Sequence, residues 1–323
     1  MSTATASLPS SAQRFRAGAL NGSPALLALV ALIAIFVITA ILQPGILSVS
    51  GLTLMLMSSV PLVLASQAQM IIMAVGDIDL SVGYLVGLVT VIVAKLLIDT
   101  PLIAAGLIIG IIAVYAVIAY AVQRRGVPSI IVTLGLSFVW LGVGLQISPT
   151  PGGETPQWLS ALSTWRPSWI PAPLVFIAVA TVLGWYVTRR AKSGARIRAL
   201  GSQAATLEKT GASLVGTRVL AYSVAAVFMV LAGLILASQT WSGDINAATE
   251  YTLMTIAAVI LGGGTFSGGR ALPIGTTLGA ITLGLITVLL SLINLSSSLQ
   301  SAAQGAIVLA VLAGRIITER FAR

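Results

Sequence analysis

The chain of 323 residues has no cysteine and no histidine. That excludes disulfides, thiolate nucleophiles, imidazole bases and His-based metal sites, and with them the usual hydrolase triads. Charge is scarce as well: only 8% of residues are charged, 17 basic against 8 acidic, for a net charge of +9. The basic excess does not point to nucleic acid, because Lys and Arg sit between apolar runs rather than on a solvated face with stacking aromatics. No lysine follows a glycine, so there is no Walker A loop, and Gly262 to Gly269 misses the G-x-G-x-x-G spacing because Ser267 takes the last position. Any ATP used by this protein is therefore hydrolysed by a partner. No cofactor and no metal is expected.

Apolar sequence is what the chain has in quantity, at 57% hydrophobic residues and a mean hydropathy of +1.05. Such a composition belongs to a bilayer. A helix needs about 20 residues to cross about 30 Å of hydrocarbon, and the candidates are 24–42, 52–75, 80–98, 102–122, 130–147, 173–187, 214–237, 251–265, 272–293 and 299–313. The fold class is an all-α polytopic membrane protein with about ten transmembrane helices, broken helices and an internal pseudo-repeat. Residues 1–23, rich in Ser, Thr and Ala, form an N-terminal tail. The run from Pro24 to Leu42 is longer than a signal peptide's core, so it is read as an uncleaved first span. Residues 24–315 make one membrane domain, and 316–323 a C-terminal tail.

With the N-terminus in the cytoplasm, ten spans leave only Lys95 and Arg166 outside. The other basic residues fall inside, as the positive-inside rule requires, and both termini are cytoplasmic. The external loop 148–172 is rich in proline and carries Trp158, Trp165 and Trp169. It suits a headgroup anchor, a docking surface for an external protein, or both. The cytoplasmic loop 189–218 contains a short predicted helix in which Ser202 caps the first turn and Gly211 follows the last one. That helix is either a lever for a soluble partner or a connector whose basic residues contact anionic lipid.

Gly76-Asp77-Ile78-Asp79-Leu80-Ser81-Val82-Gly83 sets two carboxylates inside membrane-type sequence, where charge marks a transport route. Asp79 suits an N-cap of the helix starting near Ser81, or a direct substrate contact. Asp77 is expected to pair with an arginine such as Arg270, or to be solvated. The glycine-rich run 262–269 cannot continue a regular helix and reads as a gate or hinge, with tight packing as the plainer reading. Breaks early and late in the chain resemble inverted-repeat transporters whose discontinuous helices meet at the pathway. The pairs Gly83/Gly87, Gly106/Gly110 and Gly275/Gly279 suit close helix packing. Interior amides and carboxylates are few, with Gln67, Gln69, Asn246, Asn294, Gln300 and Gln304 spread along the chain. This sparsity favours a weakly interacting passage over an ion-coupled secondary transporter, for which Asp77 and Asp79 would be the coupling site. An intramembrane enzyme is discarded for want of His, Cys and a mid-depth carboxylate pair.

Taken together, these motifs resemble the permease subunits of ABC importers for simple sugars, the family of ribose, xylose, galactose and autoinducer-2 permeases. The 76–83 motif is similar to that family's G-x-I-D-L-S-V-G signature, differing from its commonest form at Asp77. Ala199 through Gly211 resembles its ATPase-engaging loop, Leu261 through Gly269 its glycine-rich segment, and Pro128 through Gly135 its P-x-I-x-T-L-G motif. The likeness covers most of residues 45–315. It implies a pathway or gate at Asp77, Asp79, Ser81, Asn246, Gly262, Gly263 and Gly264. It also implies an ATPase-coupling loop at Gly201, Ser202, Ala204, Ala205, Leu207, Glu208 and Gly211. The implied partners are a second permease subunit, identical or paralogous, a cytoplasmic ATPase, an external sugar-binding protein and the lipid bilayer. The implied cargo is a ribose-like monosaccharide carried across a bacterial inner membrane.

Overall fold

The computed structural model describes residues 24–167 and 169–321, so the predicted tail 1–23 lies outside the described residues. Among the described residues thirteen α-helices run in chain order: α1 (Pro24–Leu42), α2 (Val49–Met57), α3 (Ser59–Ala74), α4 (Val82–Leu96), α5 (Pro101–Arg125), α6 (Ser129–Ile147), α7 (Gln157–Thr164), α8 (Ala172–Trp185), α9 (Lys192–Lys209), α10 (Leu214–Thr240), α11 (Tyr251–Leu261), α12 (Pro273–Leu292) and α13 (Ser297–Phe321). Each predicted span falls on one of these helices or on the α2–α3 pair. Among the described residues five helices are long and apolar enough to cross alone, α8 is a sixth with the π-helical turn Tyr186–Arg190 that extends it, and α2 with α3 makes a seventh span bent by 44° at Ser58.

Two predicted spans are shorter as helices than the bilayer requires. Helix α4 rises about 22 Å and α11 only about 16 Å at 1.5 Å per residue. Helix α11 stops at Leu261, not at 265, because Gly263 takes φ +96 and turns the chain away. At the C-terminus α13 continues helical to Phe321, past the boundary predicted at 315.

Local chemistry sets the helix ends. Proline stands in the first turn of α5, α8 and α12, where a missing N–H costs nothing. Gly126, at φ +64, closes α5, and the Ser213 hydroxyl accepts the Gly216 N–H at the start of α10.

Helix α3 is the axis of the bundle. All of its residues are buried, and α8, α10, α11 and α12 surround it. Glycine permits these contacts: a Cβ on Gly284 of α12 would meet the Ser59 hydroxyl, and one on Gly279 the Ala258 carbonyl of α11. The Gly83/Gly87 and Gly275/Gly279 pairs are packed as expected. Gly106 and Gly110 on α5 have open space around them, so the predicted packing role fails for that pair.

The bundle has two distinct ends. One carries α7, Lys95, Arg166 and the chain reversal at 241–243. The other carries α9, residues 75–77, the α5–α6 turn and residues 265–270. Residues 148–172 are not a plain loop, because α7 docks on α10 through buried Leu159 and through the Ser163 hydroxyl on the Ser238 carbonyl, 2.6 Å. Trp158 and Trp169 stay exposed there.

Candidate functional site

Between α3 and α4 the chain is unwound from Val75 to Ser81, inside the bundle. Unwound backbone at membrane depth must find partners for its amides. Helix α6 supplies them: Ser129 Oγ accepts the Ile78 N–H (3.2 Å) and Thr133 Oγ1 the Leu80 N–H (3.0 Å). Their spacing of four residues puts both hydroxyls on one face of α6, which gives the Pro128–Gly135 motif its physical purpose. Thr252 Oγ1 of α11 accepts the Gly83 N–H at 3.2 Å.

Asp79 is completely buried. Its Oδ1 accepts the backbone N–H and the hydroxyl of Ser81, each at 2.7 Å, and its Oδ2 accepts the Tyr115 hydroxyl at 2.7 Å. The N-cap position of α4 belongs to Ser81, so Asp79 braces the turn before the helix rather than capping its first orphan amides.

Asp77 faces another way, and its partner is Arg218 of α10, not Arg270. Nε of Arg218 lies 3.1 Å from Oδ2, near enough for an ion pair but without hydrogen-bond alignment, and the Tyr222 hydroxyl donates to the same oxygen at 3.0 Å. The carboxylate is buried, so the solvated alternative is also excluded. The Tyr115 and Tyr222 rings lie 6.2 Å apart and join the two carboxylate clusters.

Below these acids three backbones meet. The Gly269 N–H donates to the Ala74 carbonyl at 2.9 Å. A Cβ on Gly268 would lie 2.9 Å from Gly76 Cα and 3.0 Å from Gly201 Cα, and a Cβ on Gly201 would lie 2.6 Å from Gly269 N. The segments containing Gly76, Gly201 and Gly268 thus form one junction that admits no side chains. Of the glycine-rich run it is Gly268 and Gly269 that reach this junction. Gly262 packs on Gly275, while Gly263 and Gly264 form the turn that ends α11.

The predicted 202–210 helix is the last part of α9, which begins at Lys192. Its break falls at Gln203, with φ −155 and ψ 77, so Ser202 does not cap it. Ser202 instead sits against Gly269. Leu207 is buried, Ala204, Ala205 and Glu208 are exposed, and Gly211 takes the expected left-handed conformation at φ +75. Partial burial and the neighbouring Arg189 guanidinium push the Arg198 pKa down.

Asn246 is not part of this assembly. It lies toward the α7 end, in the irregular segment before α11. Sequence reasoning assigned no role to Tyr115, Ser129, Thr133, Arg218, Tyr222 or Thr252. Among the described residues no group of His, Cys, Asp and Glu can hold a metal.

A many-helix membrane bundle with an unwound carboxylate segment tied to an extramembrane helix has the form of a transport subunit. The family model described as "Branched-chain amino acid transport system / permease component" matches residues 51–312, and the chain belongs to that family. Over 293 residues it is 30% identical to the ribose import permease protein RbsC of Escherichia coli K12, covering 87% of this chain and 90% of that one. It is 29% identical to the probable ABC transporter permease protein YphD of the same organism, over 90% of each chain. The autoinducer 2 import system permease protein LsrD of Klebsiella pneumoniae is 24% identical over 93% of this chain and 92% of its own. No solved structure matches.

Proposed function

We propose that this chain is the permease subunit of an ATP-binding-cassette importer and forms the route for a ribose-like monosaccharide delivered by an external binding protein. The observation that carries the reading is the glycine junction. Gly201 belongs to α9, the segment expected to receive an ATPase's motion, and it touches both the α3–α4 break at Gly76 and the 262–272 segment at Gly268. A displacement of α9 is therefore transmitted at once to both non-helical stretches, with no flexible side chain between them to absorb it.

The α9 end is cytoplasmic in this reading. Of the basic residues between 95 and 270, Lys95 and Arg166 lie at the opposite end, and the positive-inside rule orients the bundle accordingly. The ATPase docks on α9, the binding protein approaches the α7 end, and a second permease subunit, identical or paralogous, completes the passage. The ion-coupled alternative lacks a free ligand at its proposed site, since Asp79 is enclosed by hydrogen bonds and Asp77 is paired with Arg218.

The test is purification from the native membrane in mild detergent, followed by uptake in proteoliposomes. Copurification of a Walker-motif ATPase and sugar uptake that requires ATP are expected. A chain recovered alone that drives uptake on an ion gradient without ATP would overturn the assignment.

A further inference from the structure

The segment before α11 does not lie beyond the membrane; it descends along α4. Thr90 Oγ1 bonds both the carbonyl and the N–H of Asp244, each at 3.1 Å. A Cβ on Gly87 would meet the Ile245 carbonyl, and one on Gly83 would fall 2.6 Å from the Ala248 carbonyl and 2.9 Å from that of Thr249. At 1.5 Å per residue along α4, this path runs from about 9 Å to about 20 Å below Leu96, well into the hydrocarbon zone.

Along this descent the backbone forms isolated turns: the Ala247 N–H donates to Asp244, Thr249 to Asn246 and Tyr251 to Ala248. Asn246, Thr249 and Glu250 are nevertheless exposed on the outside of the subunit. Irregular backbone and a carboxylate do not face lipid at that depth; they face water or protein.

Glu250 is held in place from behind. The Ser301 hydroxyl donates to its Oε1 at 3.1 Å. With the buried Gln304 amide assigned in the orientation that satisfies both of its ends, its nitrogen donates to Glu250 Oε2 at 2.6 Å and its oxygen accepts the Thr287 hydroxyl. The Asn246 side-chain amide makes no hydrogen bond among the described residues. An oriented carboxylate, a free amide and a hydroxyl are together suited to sugar hydroxyls, which both donate and accept.

We infer that residues 244–252 form one wall of the solute passage, and that Asn246, Thr249 and Glu250 are the groups that a polyhydroxylated solute touches on its way through. This rests on the reading of the chain as an ATP-driven permease, and it places the passage along the outside of the subunit, closed by a facing copy.

The lack of cysteine makes the test direct. Asn246→Cys and Thr249→Cys, in the reconstituted complex, are exposed to a positively charged, membrane-impermeant methanethiosulfonate reagent. Ile109→Cys on the exposed apolar face of α5, at a comparable depth, serves as the lipid-facing control. Thiols in water ionise and react while thiols in lipid do not, so labelling about ten-fold faster than the control is expected, with loss of uptake on labelling. Rates equal to the control would overturn the wall. Glu250→Gln is expected to lower uptake turnover with saturating binding protein while complex recovery is unchanged; wild-type turnover would overturn the contact role. The cysteine-free parent, assayed with and without ATP, judges the permease reading separately, because labelling does not depend on what drives transport.

Discussion

At the scale of single residues, Asp79 separates a structural carboxylate from a working one. Both oxygens accept hydrogen bonds, from Ser81 and Tyr115, with no access to solvent. Asn keeps one oxygen for Ser81 and offers its amide to the Tyr115 oxygen. Leu strands the Ser81 N–H, at about 1–3 kcal/mol, and leaves the Tyr115 hydroxyl only Ser81 Oγ, at 2.8 Å, and the weak Met229 Sδ acceptor. Asp79→Asn is therefore expected to retain most uptake and melt within a few degrees of the parent, whereas Asp79→Leu should be poorly recovered or inactive. Thermal unfolding in detergent beside uptake in proteoliposomes checks this, and an Asn variant that folds normally but transports nothing would show that the charge itself is needed. The sequence made both carboxylates conspicuous but not their partners. Arg218 stands a turn inside the long α10, where it looked like one more topology-setting cation, and Tyr115 and Tyr222 looked like ordinary span residues.

At the scale of elements, the hydropathy pattern was legible throughout: each predicted apolar segment is helical. What it could not register was depth, because a half-helix and a full one have the same composition. Helix α11 and the irregular stretch before it divide one crossing between them, and for that reason Asp244 and Glu250 drew no assignment from the sequence, while Asn246 was expected at the pathway without its neighbours. The available signal was that four of the eight acidic residues, Asp77, Asp79, Asp244 and Glu250, lie in two short non-helical stretches. The break in α9 also decides which substitution can test coupling. With the break at Gln203, Ala205 falls in the first turn of the last part of α9, where proline is tolerated, so Ala205→Pro is a weak probe of coupling. Gly201→Ala is the sharp one. Its Cβ would collide with the Ala74 carbonyl and Gly269 N, both backbone, and overpacking of this kind costs about 1–3 kcal/mol. The variant should insert and bind the ATPase, yet move less sugar per ATP hydrolysed. An unchanged ratio would sink the junction as the transmitting element.

At the scale of the whole molecule, the orientation in the membrane organises every other assignment, and charge alone carries it. Lys95 and Arg166 lie at the end where Glu154 N–H bonds the Ala94 carbonyl, while Arg189, Arg190, Lys192, Arg196, Arg198 and Lys209 gather at the α9 end. Moving so many cations across a bilayer during insertion is disfavoured, which is the ground for the proposed orientation with the α9 end in the cytoplasm. The absence of native cysteine turns this into a clean measurement. Glu154→Cys should react with an impermeant thiol reagent in intact cells, and Lys209→Cys only after the membrane is opened. Both positions are exposed, so neither result depends on rearrangement of the bundle. The reverse pattern would put α9 outside, away from any cytoplasmic ATPase, and would leave the glycine junction as packing with no stroke to transmit. With the expected pattern, the proposed passage wall at 244–252 runs down from the external side through the middle of the membrane, with the Asp77 and Asp79 clusters beneath it and the ATPase contact lowest. Sugar would then meet the polar wall first, and α9 would act from below on the two breaks that flank its exit.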